Sequence, residues 1–72
     1  MPKLPVVSGK EMAKYLSKKG FEIRQGRGSH VVAKKGGLMT VIPMDDELAT
    51  GTLLGILEQV GISRETFSEE LR

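Results

Sequence analysis

The chain has 72 residues, 28% of them charged and 4% aromatic, with a formal net charge of +2 and no cysteine. A domain of this size buries only about 60% of the surface its unfolded chain exposes, which leaves one modest core and little room for an enclosed substrate cavity. The missing cysteines exclude disulfide staples and thiolate metal sites and fit a reducing cytoplasm, and the apolar runs are too short to span a bilayer.

Met1-Pro2-Lys3-Leu4-Pro5-Val6-Val7 lacks the long apolar run of a signal peptide. The expectation is one soluble, cytoplasmic domain over residues 1–72, with no membrane partner. Ser8 followed by Glu11 reads as a capping box, with Val7 and Met12 as its hydrophobic staple. Met12, Tyr15 and Leu16 then make one apolar face, with Lys10, Lys14 and Lys18 opposite. Gly20 can end this helix in the left-handed conformation.

Three short strands follow. Phe21, Ile23 and Gln25 alternate with Glu22 and Arg24, the pattern of a half-buried strand. Gly26-Arg27-Gly28 is a basic turn, and residues 29–34 form a second strand. Lys35-Gly36-Gly37 makes a tight connection to a third, residues 38–42, stopped by Pro43. The pairs Val31-Val32 and Val41-Ile42 leave the faces of these two strands ambiguous. His30 shares parity with Val32 and Lys34, and the lysine hints at an open face.

An acidic loop leads to a second helix beginning near Thr50 or Gly51, with Leu53, Leu54, Ile56, Leu57 and Val60 as its buried stripe. Gly61 and Ile62 fit a Schellman ending, and Ser63 caps a short last helix bearing Phe67 and Leu71. The predicted order is α-β-β-β-α with a short α tail.

Charge is divided along the chain. Residues 1–37 carry nine Lys/Arg against two Glu, a balance of +7; residues 38–72 carry two Arg against seven acids, a balance of −5. Such polarity suits a chain that meets a polyanion with one half. Its one histidine lies in Gly26-Arg27-Gly28-Ser29-His30. An imidazole titrating near ~6.5 can take and give a proton at neutral pH. RNA supplies its own nucleophile, the 2′-hydroxyl, so a catalyst need only move protons and steady the phosphate charge. The glycines let backbone N–H groups approach a phosphate, Arg27 can hold it through two donors and Ser29 can orient the ring. Spacing alone favours the plainer account, a surface or half-buried strand histidine.

Other patterns carry less. Gly26-x-Gly28 enters a strand rather than a helix and is no phosphate loop. Thr50-Gly51-Thr52 could offer helix N–H groups to a phosphate, but ordinary capping with a glycine for close helix packing accounts for it better. Asp45-Asp46-Glu47 lacks an EF-hand frame and reads as a solvated loop, so no metal or other cofactor is expected.

Three segments together resemble the HicA family of small bacterial and archaeal toxins: Ser8-Gly9-Lys10 with Leu16 and Gly20-Phe21; Gly28-Ser29-His30; and Pro43 through Gly51-Thr52-Leu53 and Ile56-Leu57 to Gly61-Ile62-Ser63. The resemblance implies an α+β fold like the double-stranded-RNA-binding domain, a three-stranded antiparallel sheet with two helices on one face. It also implies a ribosome-independent endoribonuclease that cleaves mRNA, with His30 at the catalytic position, held inactive by a HicB antitoxin. Many relatives carry a histidine or another polar residue two places after the proline that ends the third strand. Asp45 stands there instead, so a two-histidine relay within one chain is not available; Asp45 could orient His30, or be a loop acid that repels phosphate. Arg27 and Lys34, nearest His30 in sequence, are the first candidates for holding RNA, with Gly28 and Ser29 beside them. The rival reading is a non-catalytic RNA-binding module of the same fold, and a third is a protein whose main task is to complete an antitoxin complex.

Overall fold

Capping residues fix where the first helix starts. In the computed structural model, which describes residues 4–71, helix α1 spans Gly9–Lys18. Ser8 Oγ accepts the Glu11 N–H at 3.0 Å, and Glu11 Oε1 accepts the Ser8 N–H at 2.9 Å, closing the expected capping box. Val7 and Met12 on either side of it are both buried. Gly20, at φ +95°, turns the chain so that the Phe21 N–H donates back to the Leu16 carbonyl at 2.9 Å.

The sheet holds β1 (Glu22–Gln25), β2 (His30–Lys35) and β3 (Leu38–Pro43) in the order β1-β2-β3, antiparallel throughout. Register resolves the ambiguous valine pairs. Val31 lies opposite Ile42 and both are buried; Val32 lies opposite Val41 on the other face. Ala33, Thr40 and Ile42 are buried on the inner face with Val31, and α1 and α2 (Thr50–Val60) pack there. Leu53, Ile56, Leu57 and Val60 are the buried residues of α2. Thr40, a polar group in this apolar layer, donates its hydroxyl proton to Gln59 Oε1 at 2.6 Å and so ties β3 to α2 without leaving an unpaired hydroxyl.

Gly61, at φ +72°, ends α2, and the Ile62 N–H donates to the Leu57 carbonyl at 3.0 Å. The start of α2 differs from expectation. Its N-cap is Ala49, which makes no side-chain cap bond, and a methyl group added to Gly51 would meet nothing within 4 Å. Neither side-chain capping nor close packing accounts for Thr50-Gly51-Thr52.

Helix α3 (Arg64–Glu70), capped by Ser63, lies against α1. Phe67 is fully buried and meets the Tyr15 ring edge-on at 5.0 Å. Tyr15 donates its hydroxyl proton to Glu70 Oε1 at 2.6 Å, and Lys19 Nζ donates to Oε2 at 2.7 Å. No helix among the described residues is long and apolar enough to cross a membrane.

Candidate functional site

Backbone bonds set the position of His30 from both sides. Toward β1, the Gly26 N–H donates to the His30 carbonyl at 2.9 Å while the His30 N–H donates to the Arg27 carbonyl at 3.0 Å. Two residues thus face one, a bulge that re-aims the strand end where it occurs. A Cβ on Gly26 would sit 3.0 Å from the His30 carbonyl oxygen, which is tight. The turn beyond it depends on Gly28 at φ +56°, and Gln25 Nε2 braces it by donating to the Gly28 carbonyl at 3.0 Å. Toward β3, Pro43 lies opposite His30, and the Met44 N–H donates to the Ser29 carbonyl at 2.7 Å.

The same segment is gripped from α1. The Gly9 N–H donates to the Asp45 carbonyl at 2.9 Å, and a Cβ on Gly9 would fall 2.0 Å from the Pro43 carbonyl oxygen. The histidine backbone is therefore clamped, while the residue itself is exposed. No hydrogen bond or ion pair among the described residues engages its ring.

Alternation along β2 puts His30, Val32 and Lys34 on the open face, away from the helices. Register adds Arg24 opposite Val32 and Glu22 opposite Lys34 from β1, and Val41 and Met39 from β3. Met39 and Val41 are 55% and 46% exposed. Glu22, Arg24, Val32, Lys34 and Gly36 line an open depression of about 280 Å³. Within it Glu22 Oε1 accepts from Arg24 Nε at 2.5 Å, leaving the outer nitrogens of the guanidinium fork outside that bond.

The predicted residues divide accordingly. Arg27, Gly28 and Ser29 form the exposed turn that leads into His30; Lys34 shares its face but lies four residues farther along, about 13 Å at ~3.3 Å per residue. Asp45 is exposed, and its carboxylate makes no hydrogen bond to His30 among the described residues; its carbonyl instead anchors Gly9. Lys10, Lys14 and Lys18 project from α1, across the sheet from His30. Lys35 bonds the Lys19 carbonyl at 2.8 Å and covers the Phe21 ring, a structural task. Arg24 was not singled out by sequence order because it precedes the turn. Its alternation parity would have placed it beside Val32 and Lys34 had the bulged register been known.

These features define a small α+β domain that displays its one imidazole and a row of cations on an open sheet face instead of enclosing them. Residues 9–62 match the family described as HicA toxin of bacterial toxin-antitoxin. The chain belongs to the HicA family, and the protein is thus the toxin of a toxin–antitoxin pair. Neither a curated protein nor a solved structure matches it at significance.

Proposed function

We propose that this HicA-family toxin is a metal-independent endoribonuclease that cleaves mRNA in the cytoplasm, with His30 as general acid/base. The observation that carries this reading is the exposed His30 on a strand end clamped by backbone bonds, where a ribose–phosphate junction can approach it. His30 takes the proton of the 2′-hydroxyl; the 2′-oxygen attacks the adjacent phosphorus; the bond to the 5′-oxygen breaks. The products are a 2′,3′-cyclic phosphate and a 5′-hydroxyl end. Arg27 beside the ring steadies the charge on the phosphate, and the N–H groups around Gly28 and Ser29 line its approach. Lys34 lies too far along β2 to protonate the leaving oxygen at the same junction; that proton comes from water, another lysine or another subunit. A HicB-like antitoxin covers this face when toxin and antitoxin are paired.

His30→Ala tests the assignment. The side chain is exposed, so the variant keeps its fold by circular dichroism, and it loses both RNA cleavage and growth arrest. Cleavage at the wild-type rate by this variant rules out His30. A non-catalytic RNA-binding module would bind labelled RNA and leave its length unchanged, with wild-type protein as with the variant.

A further inference from the structure

The depression bounded by Glu22, Arg24, Val32, Lys34 and Gly36 does not include His30 in its lining. We infer that it is a distal phosphate subsite for single-stranded RNA, holding the backbone beyond the scissile junction while the bases lie over Val32, Val41 and Met39. The inference rests on the nuclease reading for its direction along the strand, but the binding it describes stands apart from cleavage.

Three observations lead there. First, Arg24 and Lys34 reach the depression from adjacent strands, one on each side of the β1–β2 pair, and so converge on one anion. Arg24 arrives with its Nε held by Glu22, which fixes the plane of the guanidinium and leaves the outer donors to a phosphate. The carboxylate costs some of the positive field, but at 62% exposure its charge is strongly screened. Second, the depression runs along the same face from the level of Val32 and Arg24, about 7 Å from His30, past Lys34, about 13 Å away, to Gly36, within the span of a short run of nucleotides. Third, Met39 and Val41 are large apolar residues left exposed on a sheet whose opposite face carries the core. With half-buried Val32 beside Val41, they give the open face an apolar strip that a ligand can cover. Val32 lies between the imidazole and Lys34, with Val41 beside it and Met39 beside Lys34 on β3, an apolar strip that suits the faces of bases and does not read their edges. A duplex would hide those faces, so an unpaired strand is the ligand.

The test compares substrates of two lengths and one that cannot be cut. A fluorescent 2′-O-methyl oligoribonucleotide, which lacks the nucleophile, reports binding alone. Arg24→Ala combined with Lys34→Ala is expected to weaken its binding by about tenfold, the loss of one charge-assisted contact, and to flatten the salt dependence by ~0.7, as for one phosphate on a single strand. With cleavable RNA the same variant raises KM for the oligomer and leaves kcat near wild type, while a dinucleotide, too short to reach the subsite, is cut as by wild type. Lys14→Ala, on α1 across the sheet, changes none of these. Equal losses on dinucleotide and oligomer would place the cations at the scissile phosphate and overturn the subsite. So would unchanged RNA binding, including the case in which the double variant instead loses its co-expressed antitoxin. If wild-type protein binds the uncuttable oligomer through Arg24 and Lys34 yet cuts no RNA, the subsite stands and the nuclease reading falls.

Discussion

Gly9 and Pro43 meet backbone to backbone: a methyl group on Gly9 would lie 2.0 Å from the Pro43 carbonyl oxygen and 2.8 Å from Met44 Cα. No rotamer change relieves such a clash, because the opposing atoms are main chain. Pro43 is the partner of His30 in the sheet, and Met44 bonds Ser29, so any displacement passes to the candidate site. Gly9→Ala is therefore expected to destabilise the protein by about 1–3 kcal/mol, as overpacking does, and to lower RNA cleavage further than the stability loss alone explains. Urea unfolding paired with a cleavage assay on the folded fraction measures both.

Gly55 is the opposite case. It sits in the middle of α2, and a methyl group there meets nothing within 4 Å. Gly55→Ala removes backbone entropy from the unfolded chain with no steric penalty, and is expected to stabilise by about 0.5–1 kcal/mol. In a domain this small that raises Tm by several degrees, at ~4–8 °C per kcal/mol, readable by thermal melting. An unchanged or lower Tm would show that the helix tolerates no side chain at that point.

Local chemistry made most of the fold legible. The capping box at Ser8 and Glu11, the glycine endings at Gly20 and Gly61 and the cap at Ser63 are each set by residues within a few positions, and each forms as read. What sequence did not give is what depends on register. Val31-Val32 and Val41-Ile42 have the same composition on both faces, and only pairing across the sheet decides which valine faces the helices. The bulge at Gly26 and Arg27 shifts that pairing by one residue relative to a simple turn, which hid the alignment of Arg24 with Val32. The tie between Gly9 and Pro43 joins residues far apart in the chain, so the reason for a glycine after Ser8 lay outside any local pattern. His30 was visible as a lone imidazole, and its shared parity with Lys34 pointed to the open face on which it is exposed.

RNA carries the nucleophile for its own cleavage, and the proposed route asks of the protein only proton transfer and a charge to steady the phosphate. Cleavage is accordingly expected to persist in excess EDTA and to give 5′-hydroxyl ends, which a kinase can label directly. Among the described residues no three potential ligands gather as a metal site. Strict dependence on Mg²⁺ would turn attention to Asp45, Asp46 and Glu47.

Helix α3 has little apolar surface of its own, and Phe67 is its one fully buried apolar anchor, with Leu71 packed beside the core at its end. Phe67 is wholly buried, against the edge of Tyr15. Phe67→Ala removes that contact and leaves a cavity, at an expected cost of about 3–5 kcal/mol, a large part of the ~5–15 kcal/mol that holds a domain together. Hydrogen exchange should show the amides of 64–70 unprotected before those of the sheet. Loss of protection everywhere at once would mean that α3 belongs to the cooperative core.

The polar half of that attachment responds to pH in two directions. Burial, then the hydrogen bond to Glu70 and its negative charge, push the Tyr15 hydroxyl above the ordinary phenol range. A raised folded value means that the unfolded chain ionises first, so the contribution of Tyr15 is complete below about pH 10 and is lost as pH rises beyond it. Glu70 shifts the other way: hydrogen bonds from Lys19 and Tyr15 hold its carboxyl below the usual range, against the effect of burial. Its contribution is complete above the ordinary carboxylate pKa, ~4.3, and fades as pH falls through the folded value. The Lys19–Glu70 pair is about one-third exposed on each side, so the acid effect is small. Tyr15 is the chain's only tyrosine, and tyrosinate absorbance therefore reports a single group. Its titration is expected above that of free tyrosine in wild type and closer to the free value in Glu70→Gln. Tyr15→Phe is expected to lower stability at neutral pH by about 0.5–1.5 kcal/mol, one hydrogen bond, and to flatten the alkaline decline seen in wild type. A wild-type phenol titrating at the free value would show that Tyr15 and Glu70 are not joined in solution.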